Sequence, residues 1–467
     1  MQPTLETKDY RGLARVAAMA LFMQSLDATI LNTALPAVSV DLHESPVEMQ
    51  MAVIAYSLAV ALFIPLTAWV ADKFGTLNIF RAAVCVFALG SLFCALSTSL
   101  NALVLSRILQ GVGGAFMMPV ARLAIVQSVP KKHLVNAWNL MATAGLIGPI
   151  IGPILGGWLV TNASWHWIFL INLPISIAGM FFAGKVMRNF LNPSIGKLDW
   201  SGFLLFALGL SGLTLGLDLM GESRGYPAIA YGALLLGTAL LLGYYHYAKK
   251  NTYAILPLSL FDTRTFRLGI SANLLIRLSS SAVPFLLPLM FQLSFGYSAE
   301  LSGWLLAPIA LMSIIFKTFI GRILNRFGYK NTLIAASFLM TGSIVCLAFL
   351  ERSTATAWIL FNLMWYGACM SMIFTAINTL TVGDLSRAQS GAGSTLLSIV
   401  QQVGIGFGIA VSSIILAFYR HRLGNQENAL QTAFSYTFLT SSVFALLLIW
   451  TLLRLKNGDG DNLRKNR

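Results

Sequence analysis

Ala68-Trp69-Val70-Ala71-Asp72-Lys73-Phe74-Gly75 and Gly321-Arg322-Ile323-Leu324-Asn325-Arg326-Phe327-Gly328 follow one plan: a small residue, three residues, Asp or Asn, a base, Phe, Gly. Each octet closes a long apolar segment. Segments of about 20 apolar residues, the length that crosses a bilayer as a helix, recur fourteen times, from Val16–Leu35 through Met49–Val70 to Phe434–Arg454. The two octets follow the second and the tenth. With two equal halves of six, the second and the eighth would correspond, so an extra pair lies between the halves. The chain then divides into a six-helix bundle over 1–190, a two-helix insert over 198–250, a second six-helix bundle over 264–455 and a cytoplasmic tail over 456–467.

Composition agrees on the solvent. At 57% hydrophobic and 10% charged residues over 467 positions, most of the chain is too apolar for an ordinary water-facing surface. The formal net charge of +14 invites a nucleic-acid reading, but the placement of the bases excludes it. Of 31 Lys and Arg, 24 fall at span ends on the side of residue 1, 4 at opposite ends and 3 inside spans. That is the positive-inside bias of an inner (plasma) membrane protein, and it puts both termini in the cytoplasm. Lys131, Lys132, Lys249, Lys250, Arg464, Lys465 and Arg467 then meet anionic lipid rather than nucleic acid. The first apolar run leads into Leu35-Pro36 instead of a small-residue cleavage site, so it reads as a spanning helix and not a removable leader.

Asp27, near the middle of the first span, is the most costly residue in the chain, because a carboxylate in hydrocarbon must be paired or face water. It is expected on the wall of a central cavity, as a proton-exchanging group. Arg107 in the fourth span is its natural partner, followed on one helical face by Gln110 and Gly114. Arg277, mid-way along the ninth span, is expected to face the cavity for the same reason. Lys317 lies nearer the cytoplasmic end, where a long side chain also reaches the interface. In the fifth span Gly145, Gly148, Gly152, Gly156 and Gly157 line up at spacings of three to four, with Pro149 and Pro153 among them. Such a face permits close helix contact, and it is expected to meet a helix of the second half. Gln401-Gln402-Val403-Gly404-Ile405-Gly406-Phe407-Gly408 in the thirteenth span is a weaker echo.

Five motifs taken together resemble the major facilitator superfamily, and within it the fourteen-span drug:proton antiporter branch. They are Leu26-Asp27-Ala28-Thr29-Ile30-Leu31-Asn32-Thr33-Ala34-Leu35-Pro36, the octet at Asp72, Arg107-Ile108-Leu109-Gln110-Gly111-Val112-Gly113-Gly114, Gly148-Pro149-Ile150-Ile151-Gly152-Pro153-Ile154-Leu155-Gly156-Gly157, and Trp165-His166-Trp167-Ile168-Phe169-Leu170-Ile171-Asn172-Leu173-Pro174. The chain departs from the family pattern at Ala68, Leu77-Asn78 and His166, where Gly, a basic pair and Arg are usual. The resemblance implies an all-α integral membrane protein with the major facilitator fold of two six-helix bundles, here with the two-helix insert. It implies proton-coupled export of small molecules by alternating access, by a monomer, with protons, substrate and the bilayer as partners. On that footing Asp27, Arg107, Arg277, Lys317, Asn32 and Gln110 are candidates for proton coupling and substrate contact. Asp72, Lys73, Gly75, Arg81, Asn325, Arg326 and Gly328 are candidates for a cytoplasmic gate, and Gly148, Pro149, Gly152, Pro153, Gly156 and Gly157 form the antiporter motif.

Other function classes lack their residues. No G-x-x-x-x-G-K-[ST] phosphate loop is present for a primary pump. His43, His133, His166, His246 and His421 are scattered, without a metal-ligand pair. Cys85, Cys94, Cys346 and Cys369 lie inside apolar segments without short paired spacing and read as packing residues. No enzyme, metal or cofactor is therefore expected. The intramembrane bases Arg107, Arg277 and Lys317 suit an organic anion, such as a polycarboxylate or metal chelate, at least as well as a lipophilic cation.

Overall fold

The computed structural model describes residues 9–192, 196–221, 227–251, 254–386, 389–424 and 428–463, except the side chains of a few of them, Lys131 and Lys132 included. The basic residues Arg464, Lys465 and Arg467 lie outside the described residues. Helix dominates. In the first unit, Met1–Leu198 with Ser298–Gly303, the spans are α1 (Asp9–Asp41), α2 (Gln50–Phe74), α3 (Thr76–Ala95), α4 (Leu100–Ser128), α5 (Lys131–Asn162) and α6 (Trp167–Val186). In the second, Asp199–Tyr297 with Trp304–Arg467, they are α7 (Trp200–Gly221), α8 (Pro227–Lys250), α9 (Arg264–Ser294), α10 and α11 within Ala299–Leu347, α12 (Thr356–Gly383), α13 (Ser390–Leu423) and α14 (Ala429–Leu453). The first turn of α10 thus belongs to the first unit.

Among the described residues thirteen continuous helices are long and apolar enough to cross a membrane, one fewer than the sequence segments. The difference is a junction. Ala299–Leu347 runs 49 residues, roughly twice what a hydrocarbon layer of about 30 Å accommodates at 1.5 Å per residue. Its helical path breaks at Gly328, with φ 77° and ψ 167°, so 299–327 and 329–347 are separate spans joined without a loop.

Gly75 marks the matching place in the first unit, between α2 and α3, with φ 92° and ψ 139°. Both residues therefore end their octets in a conformation that a Cβ makes costly. The repeat seen in sequence is a repeat of backbone geometry, which is why Gly closes both copies.

The contacts within each unit follow a common order. α1 lies against α5 and α4 packs between α2 and α3; in the second unit α9 lies against α13, α12 and α14. The two intervening helices, α7 and α8, pair with each other, and α7 packs on α13. Gly209, Gly212, Gly216 and Gly237 let α7 and α8 approach closely: a Cβ on Gly237 would lie 2.5 Å from the Leu213 backbone nitrogen.

Candidate functional site

The interior of the first unit holds a polar cluster that glycines make room for. A Cβ on Gly111 would lie 2.7 Å from the Tyr56 carbonyl of α2, and one on Gly113 would strike the Phe87 backbone of α3. On the other side of the α3–α4 seam, a Cβ on Gly90 would stand 2.5 Å from the Gln110 backbone nitrogen. With these side chains absent, α4 sits close to both neighbours and Arg107 and Gln110 reach across the bundle. Arg107 and Asp27 are each 1% exposed and Gln110 is fully enclosed.

Arg107 Nη1 lies 2.6 Å from Asp27 Oδ2 and the same distance from Gln110 Oε1, while its Nε donates to the Ala52 carbonyl at 3.1 Å. Its guanidinium carbon stands 4.3 Å from the centre of the Tyr56 ring. The second carboxylate oxygen of Asp27 accepts from Gln110 Nε2 at 2.8 Å and from Asn172 Nδ2 at 3.4 Å. Gln110 Nε2 and Asn172 Nδ2 also donate to Ser91 Oγ, at 2.7 and 3.0 Å. Cys94 Sγ lies 3.8 Å from Gln110 Oε1. Both oxygens of the carboxylate are thus satisfied, which a buried charge requires.

Two expectations change here. Asp27 does not stand on an open cavity wall; it is enclosed within its own unit by α1, α3, α4 and α6. Helical phase explains it. Ser25 and Thr29, one turn apart, occupy the face of α1 that meets α5, and Asp27, two positions from each, points the other way toward α4. The glycine face of α5 also finds a nearer partner than a helix of the second half. Cβ atoms on Gly145, Gly148, Gly152 and Gly156 would meet Leu21, Ser25, Thr29 and the Ile30 carbonyl, all on α1. Thr29 and Ser25 turn their hydroxyls onto carbonyls of α1 itself, at 3.0 Å for Thr29 to Ser25 and 3.0 Å for Ser25 to Phe22, so these two hydroxyls are satisfied within the seam. Only Gly157 looks elsewhere, onto the Ala299 backbone in the first turn of α10.

The octet at Asp72 is held by the segment after α6. Asn189 Oδ1 accepts from the backbone of Leu77 at 3.0 Å and of Asn78 at 3.4 Å, supplying the N-terminal cap of α3 from 112 residues away, where Gly75 has no side chain to give. A Cβ on Gly75 would overlap that carboxamide. Thr76 Oγ1 donates to the Arg188 carbonyl at 3.0 Å and accepts from Phe190 N at 3.1 Å, and Asn192 N donates to the Asp72 carbonyl at 2.8 Å. Lys73 rests 4.4 Å above the Trp69 ring, and Arg81 is exposed beside Gly184. In the second octet Asn325 is half-buried and the Arg326 guanidinium carbon lies 5.4 Å from the Phe327 ring centre.

The remaining candidates scatter. Asn32 is buried outside the Asp27 cluster, and Lys317 is exposed on α10. Arg277 is half-buried in the second unit, its guanidinium carbon 4.6 Å from the Phe374 ring centre. Sequence reasoning missed Asn172, Ser91 and Tyr56. Asn172 had a signal, a carboxamide inside an apolar run of a quoted motif; Ser91 and Tyr56 are too common in spans to stand out.

Among the described residues no group of three or more His, Cys, Asp or Glu is placed to hold a metal. The family model of the Major Facilitator Superfamily matches residues 17–261 and 265–466. The chain is 68% identical over 462 residues to "Probable transport protein HsrA" of Haemophilus influenzae, covering 99% of each. It is 40% identical over 451 residues to "Putative multidrug resistance protein MdtD" of Salmonella typhi, covering 96% of this chain and 95% of the relative. A crystal structure of a D-xylose-proton symporter shares the fold, with a TM-score of 0.70 at 11% identity over 96% of this chain and 99% of that one. A repeated octet ending in left-handed glycine, two helical units and a near full-length family match lead to one conclusion: this multi-pass membrane protein belongs to the major facilitator superfamily of transporters.

Proposed function

We propose that the chain is a proton-coupled exporter of small molecules that works by alternating access in a bacterial inner membrane, as a monomer with both termini in the cytoplasm. The observation that carries this reading is the Asp27–Arg107 pair at 2.6 Å, enclosed among apolar helices. Protonating Asp27 removes the charge that Arg107 answers. Gln110 and Asn172 then have to exchange an anionic acceptor for a neutral one, and the hydrogen bonds joining α1, α3, α4 and α6 reorganise. Proton uptake is in this way a change in helix packing rather than a local event.

The parts around the pair take supporting roles. The close α1–α5 seam at Gly148, Gly152 and Gly156, bent by Pro149 and Pro153, moves α1 and α5 as one body. Asp72, Lys73, Gly75 and Arg81, and in the second copy Asn325, Arg326 and Gly328, form the cytoplasmic gate. Lys317 serves as a basic residue near that end. The division into six, two and six spans makes each bundle a moving half, with α7 and α8 as an added pair.

Relatives named as putative multidrug resistance proteins support efflux of toxic compounds as the use. The test is flux from proteoliposomes under an imposed pH gradient. Wild type should move protons against a cationic or anionic drug, and Asp27→Asn should bind substrate yet lose the proton dependence. Proton-driven flux that persists undiminished in Asp27→Asn would remove Asp27 from the mechanism. A second reading, export of an organic anion, is favoured by one observation, the missing acid beside Arg277.

A further inference from the structure

Arg277 is a charge that its surroundings do not balance. It lies mid-way along α9, half-buried, with its Nε enclosed and without a hydrogen-bond partner. No carboxylate among the described residues pairs with it. Several acids of its unit are engaged elsewhere: Asp199 by Tyr247 and the Ile255 backbone, Asp384 by Thr265 and Asn462, Asp459 by Arg264, Glu351 by Ser353. An unpaired guanidinium within a span is expensive and stays charged.

The neighbours are arranged as a receptor for something negative. The aliphatic stem of Arg277 lies on α13, where a Cβ on Gly404 would stand 2.9 Å from Arg277 Cβ. The absence of a side chain there seats the stem, and the guanidinium reaches the ring of Phe374 on α12, 4.6 Å from its centre. One turn along α12 stands Asn378, whose Oδ1 accepts from Gln401 Nε2 at 3.0 Å. That bond orients the Asn378 carboxamide and leaves its N–H groups to donate. Phe374, Asn378 and Gln401 are half-buried like the arginine, so the cluster is enclosed yet reachable. Three helices of one unit thereby bring together a planar cation, an aromatic face and a carboxamide donor, with no acidic group among them.

We infer that Arg277, Phe374, Asn378 and Gln401 form a recognition site for the carboxylate of an aromatic organic anion. One fixed positive charge matches one carboxylate, the guanidinium fork takes its two oxygens, and Asn378 can donate to one of them. The body of the ligand packs flat against Phe374 and the guanidinium face. This assignment rests on the transport reading for its use, because it names the class of substrate carried; binding itself requires no gradient.

The test is isothermal titration of the detergent-purified full chain with three probes of one shape: 2-naphthoate, 2-naphthamide and 2-naphthylmethylammonium. Wild type should bind naphthoate at least tenfold more tightly than either of the others. Arg277→Gln should weaken naphthoate at least tenfold and leave naphthamide unchanged. Arg277→Lys, which keeps the charge and loses the fork, should fall between them. Phe374→Leu should weaken naphthoate and naphthamide together. If Arg277→Gln does not yield monodisperse protein, Asn378→Leu serves, with a loss of threefold or more expected for naphthoate alone. Absence of saturable naphthoate binding, equal affinity for the three probes, or an unaltered naphthoate affinity in the readable variant overturns the site. Naphthoate binding without proton-driven flux would sink the export reading and leave this site standing; proton-driven flux without naphthoate selectivity would do the reverse.

Discussion

Arg107 and Arg277 are two intramembrane arginines in similar settings. Each lies in a helix brought close to its neighbours by glycine, and each lays its guanidinium over an aromatic ring, Tyr56 at 4.3 Å and Phe374 at 4.6 Å. One has a carboxylate at 2.6 Å and a carbonyl on its Nε; the other has neither. The first is a closed circuit for its Nε, its Nη1 and both carboxylate oxygens. The second is an open one. The same residue type thus sits in an ion pair in one unit and lacks an acid in the other, and what separates the two is the partner rather than the arginine.

The comparison is broken most directly at its closed end. Arg107→Ala leaves Asp27 as a lone charge among apolar helices and should cost about 3–5 kcal/mol, read as a fall in the denaturant or thermal midpoint of purified protein. Adding Asp27→Asn should restore a large part of that loss. Additive losses in the double variant would mean that the pair is not coupled. Next in size is the seam that holds α1 in place: Gly152→Val pushes branched carbon into Thr29 and should cost about 1–3 kcal/mol by overpacking, with transport reduced more than expression. Asn189→Ala removes the distant cap of α3 and should cost about 1 kcal/mol; rescue by Asn189→Asp, which retains the accepting oxygen, separates capping from general disruption. The smallest effect is expected at the open end. Arg277→Gln should change stability by less than about 1 kcal/mol in either direction, since it removes a charge that no carboxylate answers. A loss as large as that of Arg107→Ala would erase the distinction between the two arginines.

Much of this arrangement is legible in the sequence alone. The apolar segments, the repeated octet and the two glycines that close it follow from local rules, because a bilayer fixes span length and a left-handed turn selects Gly. Asp27 and Arg107 stood out by the cost of their charges. The octet's supports at Thr76 and Asn189 were not legible, since 112 residues separate capping oxygen from capped backbone and a lone Asn after a span has many uses. The facing of most of the α5 glycines is not legible for a related reason. Periodicity shows that a small-residue face exists, but any helix of suitable tilt can fill it, and α1 of the same unit does.

The sequence by itself determined that this chain lives in lipid, that it repeats, and which few residues carry charge into the apolar interior. These are consequences of composition and period. Tertiary structure alone decided which of those charges are answered. Pairing depends on how closely helices distant in sequence approach, and that spacing is set by glycines such as Gly90, Gly111 and Gly113 acting on other helices than their own. It is through that spacing that Asp27 meets Arg107, whereas Arg277 packs against Gly404 and the Phe374 ring with no acid beside it.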